Sequence, residues 1–308
     1  MQELALVGTN NSHPFIFAGL VNGGVREKFV ANSPAWTHRL FPERDWPGSH
    51  GVDWRFTRVW SRDPVFAGKV AEATLVERVT ETLAEAARGA AGAFVCDMWG
   101  EYHREQALAF LEQGKPVFVD KPLAESLADA RAMIDAAREN GTVLGTCSSL
   151  RYDPEVFRLR KRLAGELGRP LITTVCCPCY QDLARYTVHG IELLLAVTGG
   201  QKTVSVRNCG TSQRRHLLLV EFVDGSCGVV HSWEGHAYSV TVTAENGQEV
   251  IRPGVEDTLK PMVAAVLESF VTRVPVVDYE EVLEGVKIIE AGVASRAQGG
   301  RTVETAAA

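Results

Sequence analysis

The chain lacks any hydrophobic run approaching the roughly 18 apolar residues needed to span a bilayer. It also lacks a basic tract that could neutralise a phosphate backbone. Asp plus Glu outnumber Lys plus Arg by 38 to 32, a formal net charge of -6. Neither membrane nor nucleic acid is therefore expected as a partner. The start, Met1-Gln2-Glu3-Leu4-Ala5-Leu6, has no basic segment ahead of an apolar core, which points to a cytoplasmic protein. Cysteine is sparse and odd in number, seven in 308 residues, so no disulfide framework is expected and a reducing compartment fits. The cluster Cys176-Cys177-Pro178-Cys179 has no second pair of Cys or His at metal-knuckle spacing. It reads as buried strand thiols rather than zinc ligands, and no metal is expected. Glycine (28) and proline (13) are near average, which excludes collagenous and low-complexity classes.

What is present suits about two ordinary domains. The first half alternates short β-rich runs with helical segments, the signature of parallel strands joined by crossovers. Strands are predicted at 4–8, 56–60, 74–79, 93–96, 116–119 and 143–146. Ser12 or His13 is placed to cap a first helix with Pro14 in its first turn, and Ser126 with Asp129 forms a possible capping box for a helix over 125–140. Residues 31–54 interrupt this rhythm with Trp36, Trp46, Trp54, His38 and His50. That insertion reads either as a functional lid or interface element, or as a surface excursion pinned by aromatic packing. Beyond Arg151 the pattern changes to a helix over 153–163 and alternating runs at 217–222, 227–233 and 239–244. Turn dipeptides Asp224-Gly225 and Asn246-Gly247 mark a mostly antiparallel sheet. A helical pair, 258–271 and 279–297, ends the chain. The expected class is α/β: a Rossmann dinucleotide-binding domain over 1–148, then an α/β domain with a mostly antiparallel open sheet over 149–308.

In an open parallel sheet, ligands bind at the carboxyl ends of the strands. After the first strand stands Gly8-Thr9-Asn10-Asn11-Ser12-His13, where a dinucleotide binder would show G-x-G-x-x-G. Only the first glycine is present, but the helix N-terminus still offers amides to an anion. After the second strand, Ser61 stands where NAD-selective proteins carry an acid. Arg62 beside it reads either as a partner for a 2′-phosphate, which tips the cofactor from NAD towards NADP, or as a solvated loop cation. Asp97 and Trp99 follow the fourth strand and are further cofactor candidates. The fifth strand runs into Asp120-Lys121-Pro122, where Pro122 disfavours helical geometry at Lys121. A partly desolvated lysine there could bind or deprotonate a substrate hydroxyl.

The stretch Gly114-Lys115-Pro116-Val117-Phe118-Val119-Asp120-Lys121-Pro122-Leu123-Ala124 resembles the G-K-x-V-x-x-E-K-P-x-A segment of the Gfo/Idh/MocA oxidoreductase family, with Asp120 for the usual Glu. His103 resembles that family's histidine after the fourth strand. Arg151-Tyr152-Asp153-Pro154 resembles its R-[FY]-x-P segment, and His189-Gly190-Ile191-Glu192 with Gly199 its H-x-x-D…G helix. The resemblance implies NAD(P) on the first domain, a polyol substrate on the second, and homo-oligomerisation through the C-terminal sheet. It places the substrate and nicotinamide contact on Lys121 and acid/base work on His189, a residue type suited to proton transfer near neutrality. The departures are the missing phosphate glycines, Glu192 for Asp, and Arg185 where an acid precedes the histidine. Arg185 beside Tyr186 could bind substrate or leave Tyr186 to share the proton work; alternatively Arg185 pairs with Asp182. Arg151, Tyr152, Arg185 and Glu192 are the substrate-binding candidates. The expected activity is oxidation or reduction of a secondary alcohol or ketone on a sugar, cyclitol or related polyol. Redox-neutral epimerisation or glycoside cleavage with retained cofactor, and a non-catalytic nucleotide-binding regulator, are the alternatives.

Overall fold

The computed structural model describes residues 1–41, 51–235 and 237–305. Trp46 and His50 of the 31–54 insertion lie outside the described residues. Contacts divide the chain into two units, 1–120 with 131–146 and 259–276, and 121–130 with 147–258 and 277–305 of the described residues.

In the first unit, β1 (Gln2–Val7), β2 (Trp54–Trp60), β3 (Arg78–Val79), β4 (Gly92–Val95), β5 (Val117–Val119) and β6 (Leu144–Gly145) form one sheet in the order β3-β2-β1-β4-β5-β6. Every pairing is parallel. This is the doubly wound order with a switch between β1 and β4. The helices are α1 (His13–Asn22), α2 (Arg26–Asn32), α3 (Pro64–Thr74), α4 (Leu83–Arg88), α5 (His103–Leu111) and α6 (Leu127–Glu139). The run at 74–79 forms only the two-residue β3, because α3 extends to Thr74 and Leu75 takes a left-handed cap. Asp63 caps α3, accepting the amides of Val65 and Phe66. At α1, Ser12 makes no side-chain cap bond; Asn11 Oδ1 takes the His13 amide instead, at 2.8 Å. Within the insertion, α2 is followed by a short 3-10 turn over Ala35–Leu40.

The second unit holds α7 (Pro154–Arg162), β7 (Pro170–Pro178), α8 (Val188–Thr198), β8 (Thr203–Asn208), β9 (His216–Phe222), β10 (Cys227–Trp233), β11 (Ser239–Ala244), β12 (Gly247–Ile251), and, beyond α9 (Leu259–Thr272), α10 (Tyr279–Ala297) and β13 (Val303–Glu304). Its sheet runs β12-β11-β7-β10-β9-β8-β13, antiparallel except for the central β7–β10 pair. The hairpins at Asp224-Gly225 and Asn246-Gly247 sit where their turn dipeptides predict. Strands β7, β8, β12 and β13 are additions to the sequence reading. Cys177 is buried and its thiol is pushed up to about 12 by burial, while Cys176 on the other face of β7 is half-buried.

The units interleave instead of meeting at a single cut near 148. Helix α9 belongs with the first unit, where Phe270 packs edge-on against Trp54 and Phe94. Phe94 in turn meets Phe17, Phe56 and Phe118. A fully buried aromatic cluster of this kind closes only when all its members arrive, so the first unit needs a helix encoded about 110 residues after β6. Phe270→Ala is expected to cost about 3–5 kcal/mol of first-unit stability, read by urea unfolding with Trp54 fluorescence as one reporter; a cost under about 1 kcal/mol would place α9 outside that core.

Candidate functional site

In the first unit the predicted cofactor residues converge on the β1–β4 switch. Gly8 has φ +76°, and a Cβ there would meet the Asp97 backbone nitrogen at 2.6 Å, so glycine is required on both counts. Asn10 and Asn11, standing for phosphate-loop residues, turn their side chains inward. Asn10 Nδ2 donates to Asp97 Oδ1 at 2.8 Å and its Oδ1 accepts the Met98 amide at 2.8 Å, while Asn11 Nδ2 donates to the Cys96 carbonyl. Asp97 also receives Gln106 at 3.0 Å and the Trp99 amide at 3.1 Å. His103 is wholly buried with Nε2 2.8 Å from the Asp97 carbonyl, so it supports this loop from within. His13 Nδ1 lies 2.7 Å from Asp120 Oδ2, tying the first turn of α1 to the end of β5.

Two observations bear on whether this switch fits a nucleotide. The Thr9 hydroxyl is fully buried and makes no hydrogen bond among the described residues. The first turn of α1 carries no acidic residue and no side-chain cap on Ser12, which leaves its positive end available to an anion. The residues fit such a group. At the β2 end, Ser61 Oγ accepts the Asp63 amide at 3.2 Å. Arg62 is exposed, as a solvated loop cation would be, but it also donates to Glu105 at 2.8 Å and lies 3.9 Å from the Tyr102 ring centroid.

In the second unit Lys121, Tyr186 and His189 come together. The Lys121–Pro122 peptide is cis. Lys121 Nζ donates to the Arg185 carbonyl at 3.3 Å and stands 5.7 Å from the Tyr186 ring centroid; that ring lies 6.3 Å from the His189 imidazole. Tyr238 approaches His189 from the other direction at 6.2 Å, and Tyr180 packs on Tyr186 at 5.0 Å. A five-residue π-helical turn, Leu183–Thr187, capped by Asp182, carries Tyr186 and leads into α8, whose first turn carries His189; such wide turns are frequent at functional sites. Gly199 ends α8 in a left-handed cap, φ +74°. Burial raises Tyr186 above the usual phenol range, with Tyr180 adding to it. The phenol therefore stays protonated and is fitted to donating a hydrogen bond rather than taking a proton.

The substrate-binding candidates fare differently. Arg151 is buried, with Nε bonded to Glu192 and a terminal nitrogen 2.6 Å from Glu281. Burial works against its charge, but the two carboxylates outweigh it and raise its pKa. Arg151 and Glu192 are thus bonded to each other within a buried triad. Tyr152, packed edge-on against Phe157, is raised by burial. Arg185 bonds to Asp182 at 2.7 Å, the structural alternative named for it. Sequence reasoning missed Ser148, whose Oγ is 2.8 Å from His189 Nδ1; a serine beside a domain boundary carries no signal of such a role. The second unit also contains a cavity of about 630 Å³ lined by Cys209, Arg215, His216, His231, Trp233 and Glu234 among others, and Lys121, Tyr186 and His189 are not in its lining.

Comparison with known proteins bears directly on this switch. Residues 43–147 match the model of the GFO_IDH_MocA oxidoreductase family, NAD-binding Rossmann fold. Over that stretch the chain is similar to the Gfo/Idh/MocA family. The 1,5-anhydro-D-fructose reductase of Ensifer adhaerens is 49% identical over 76 residues, 24% of this chain and 23% of that protein. The scyllo-inositol 2-dehydrogenase (NAD(+)) of Bacillus subtilis (strain 168) is 33% identical over 169 residues, 46% and 48% of the two chains. The chain thus spans between about a quarter and a half of these curated relatives. GenD2 from gentamicin A biosynthesis, solved in complex with NAD, is similar with a TM-score of 0.78 at 20% identity, covering 99% of this chain and 97% of its own. That likeness establishes the two-part α/β fold.

Removing the Arg151 side chain would leave Glu192 and Glu281 buried without their counter-charge. Arg151→Ala is expected to lower stability by about 3–5 kcal/mol, and Arg151→Lys, which keeps the charge but not the two-armed geometry, to lose part of that. Equal urea midpoints for wild type and Arg151→Ala would show that the triad contributes nothing.

Proposed function

We propose that this protein is an NAD(P)-dependent oxidoreductase acting on a secondary alcohol or the corresponding ketone of a cyclitol, sugar or related polyol. The observation that carries the reading is the grouping of Lys121 and His189 about Tyr186. The cyclitol and anhydrosugar names of the relatives support it.

Oxidising a carbinol requires the hydroxyl proton to leave for a base while hydride leaves the carbon. His189 takes that proton at Nε2, since Nδ1 faces Ser148. Lys121 sets its ammonium charge towards the oxygen as it becomes an alkoxide. Tyr186 donates a hydrogen bond to a neighbouring hydroxyl and keeps the lysine stem against its ring. When bound, the nicotinamide nucleotide supplies the hydride acceptor. Gly8 to His13 would hold its diphosphate, with Thr9 offering the buried hydroxyl, and Asp97, Trp99 and Asp120 would line its path. Arg62, with Ser61, would meet a 2′-phosphate and favour NADP, in competition with Glu105. The seven free thiols suit a cytoplasmic, reducing location. A homo-oligomer would cover the open face of the second sheet, where Ile172, Leu219, Trp233 and Val250 are exposed.

Lys121→Met is expected to lower nicotinamide reduction with cyclitol and anhydrosugar substrates by about 100-fold or more; undiminished turnover in that variant would defeat the assignment. For the cofactor, Arg62→Ala should lower NADPH affinity by about tenfold or more and leave NADH affinity within about twofold. An unchanged ratio of the two affinities means that Arg62 reads no phosphate.

A further inference from the structure

Ser148 is fully buried in the second unit and stands just before the 3-10 turn Ser149–Tyr152. Its Oγ lies 2.8 Å from His189 Nδ1 and accepts the Leu150 amide at 3.4 Å. Its own amide donates to Glu192 Oε2 at 3.4 Å, the carboxylate oxygen that also receives Arg151. Glu192 lies three residues after His189 on α8, so one serine is bonded both to the imidazole and to the buried ion-pair triad one turn further along the helix. Arg185, four residues before His189, is turned to Asp182.

We propose that Ser148 is the positioning residue for His189, accepting Nδ1–H at Oγ and thereby leaving the Nε2 lone pair directed to the substrate. Its catalytic consequence rests on the reading of His189 as the base; the contact does not. A hydroxyl in this place orients the ring without bringing a counter-charge to the imidazolium, whereas a carboxylate would bring both. Ser148 is itself held by the triad, through the Glu192 bond to its amide, so the ring direction is inherited from a buried charge network.

Among the described residues, titratable groups near His189 include Tyr186 and Tyr238, whose rings lie 6.3 and 6.2 Å away, and Cys177 of β7, packed where a side chain on Gly190 would stand. Lys121 lies beyond Tyr186, and Glu192 with Arg151 behind Ser148. Both phenols are raised by burial and the thiol likewise, so none supplies negative charge near neutrality. A charge newly placed at 148 would therefore act directly on the ring.

The test is a nitrogen-detected NMR titration of the intact protein, with the His189 signals assigned by their loss in His189→Gln. The wild type should show His189 in the Nδ1–H tautomer. Ser148→Ala should shift it towards the other tautomer, with Ser148→Cys, nearly isosteric, as the check where alanine perturbs folding; Ser148→Thr, which keeps the hydroxyl, should restore the wild-type pattern. Ser148→Asp should raise the proton affinity of the ring about tenfold. Nitrogen shifts and titration unchanged in both Ser148→Ala and Ser148→Asp would overturn the proposal. If the shifts move as stated but His189→Gln retains full turnover, the positioning contact stands and the assignment of His189 as the base falls.

Discussion

Arg151 is buried between Glu192 and Glu281, and a guanidinium in that position cannot be half-accommodated. Removing a charge from water costs several kcal/mol, recovered only when the partners are close and well oriented. The three residues come from the turn after Ser148, from α8 and from the first turns of α10, so satisfying one charge fixes three separate parts of the second unit. Such a triad is a weak source of net stability. Its physical effect is to leave one arrangement of α8 acceptable, and α8 carries His189 in its first turn. The orientation of the candidate base thus depends on a buried charge network behind it.

The switch of the first unit is stiffened by different means. A glycine-rich phosphate turn exposes its own amides; here Asn10 and Asn11 bind the turn to the end of β4, with Asp97 collecting Asn10, Gln106 and the Trp99 amide. Gly8 is retained because no Cβ fits against Asp97. The loop has exchanged glycine mobility for side-chain hydrogen bonds. What remains for an anion is the start of α1, where Ser12 makes no cap bond, and the buried Thr9 hydroxyl, which makes no hydrogen bond among the described residues.

Much of this fold was legible in the residues because its signals are local. Alternating apolar runs announced the parallel half, and Asp-Gly and Asn-Gly dipeptides marked both hairpins where they occur. Strand β7 was not legible: it is central in its sheet, pairing with β10 and β11, and Ile172-Thr173-Thr174-Val175 has no turn dipeptide beside it. The partition of the C-terminal helices was not legible either, since periodicity shows that α9 buries a face but not that the face meets Trp54 and Phe94. The motif residues Lys121, Tyr186 and His189 do gather in one place. Arg151 and Glu192 carry equally good motif positions, yet they pair with each other, 41 residues apart, a relation visible only when the helices are packed.

The same long-range pairing changes the reading of charge at the site. Arg62, Arg151, Arg185 and Lys121 are four cations among the candidate site residues of an acidic protein. In the structure each arginine has its own carboxylate: Glu105 for Arg62, Glu192 and Glu281 for Arg151, Asp182 for Arg185. Among the described residues of the second unit, phenols and a hydroxyl stand about Lys121 and His189: Tyr180, Tyr186, Tyr238 and Ser148. A phosphorylated substrate would need to draw Arg185 from Asp182, at the cost of a half-buried ion pair. A neutral polyol meets no such barrier, since its hydroxyls exchange hydrogen bonds with phenols and its carbon faces pack on their rings. Charge neutralisation inside the unit, more than the net charge of the chain, is what favours an uncharged ligand.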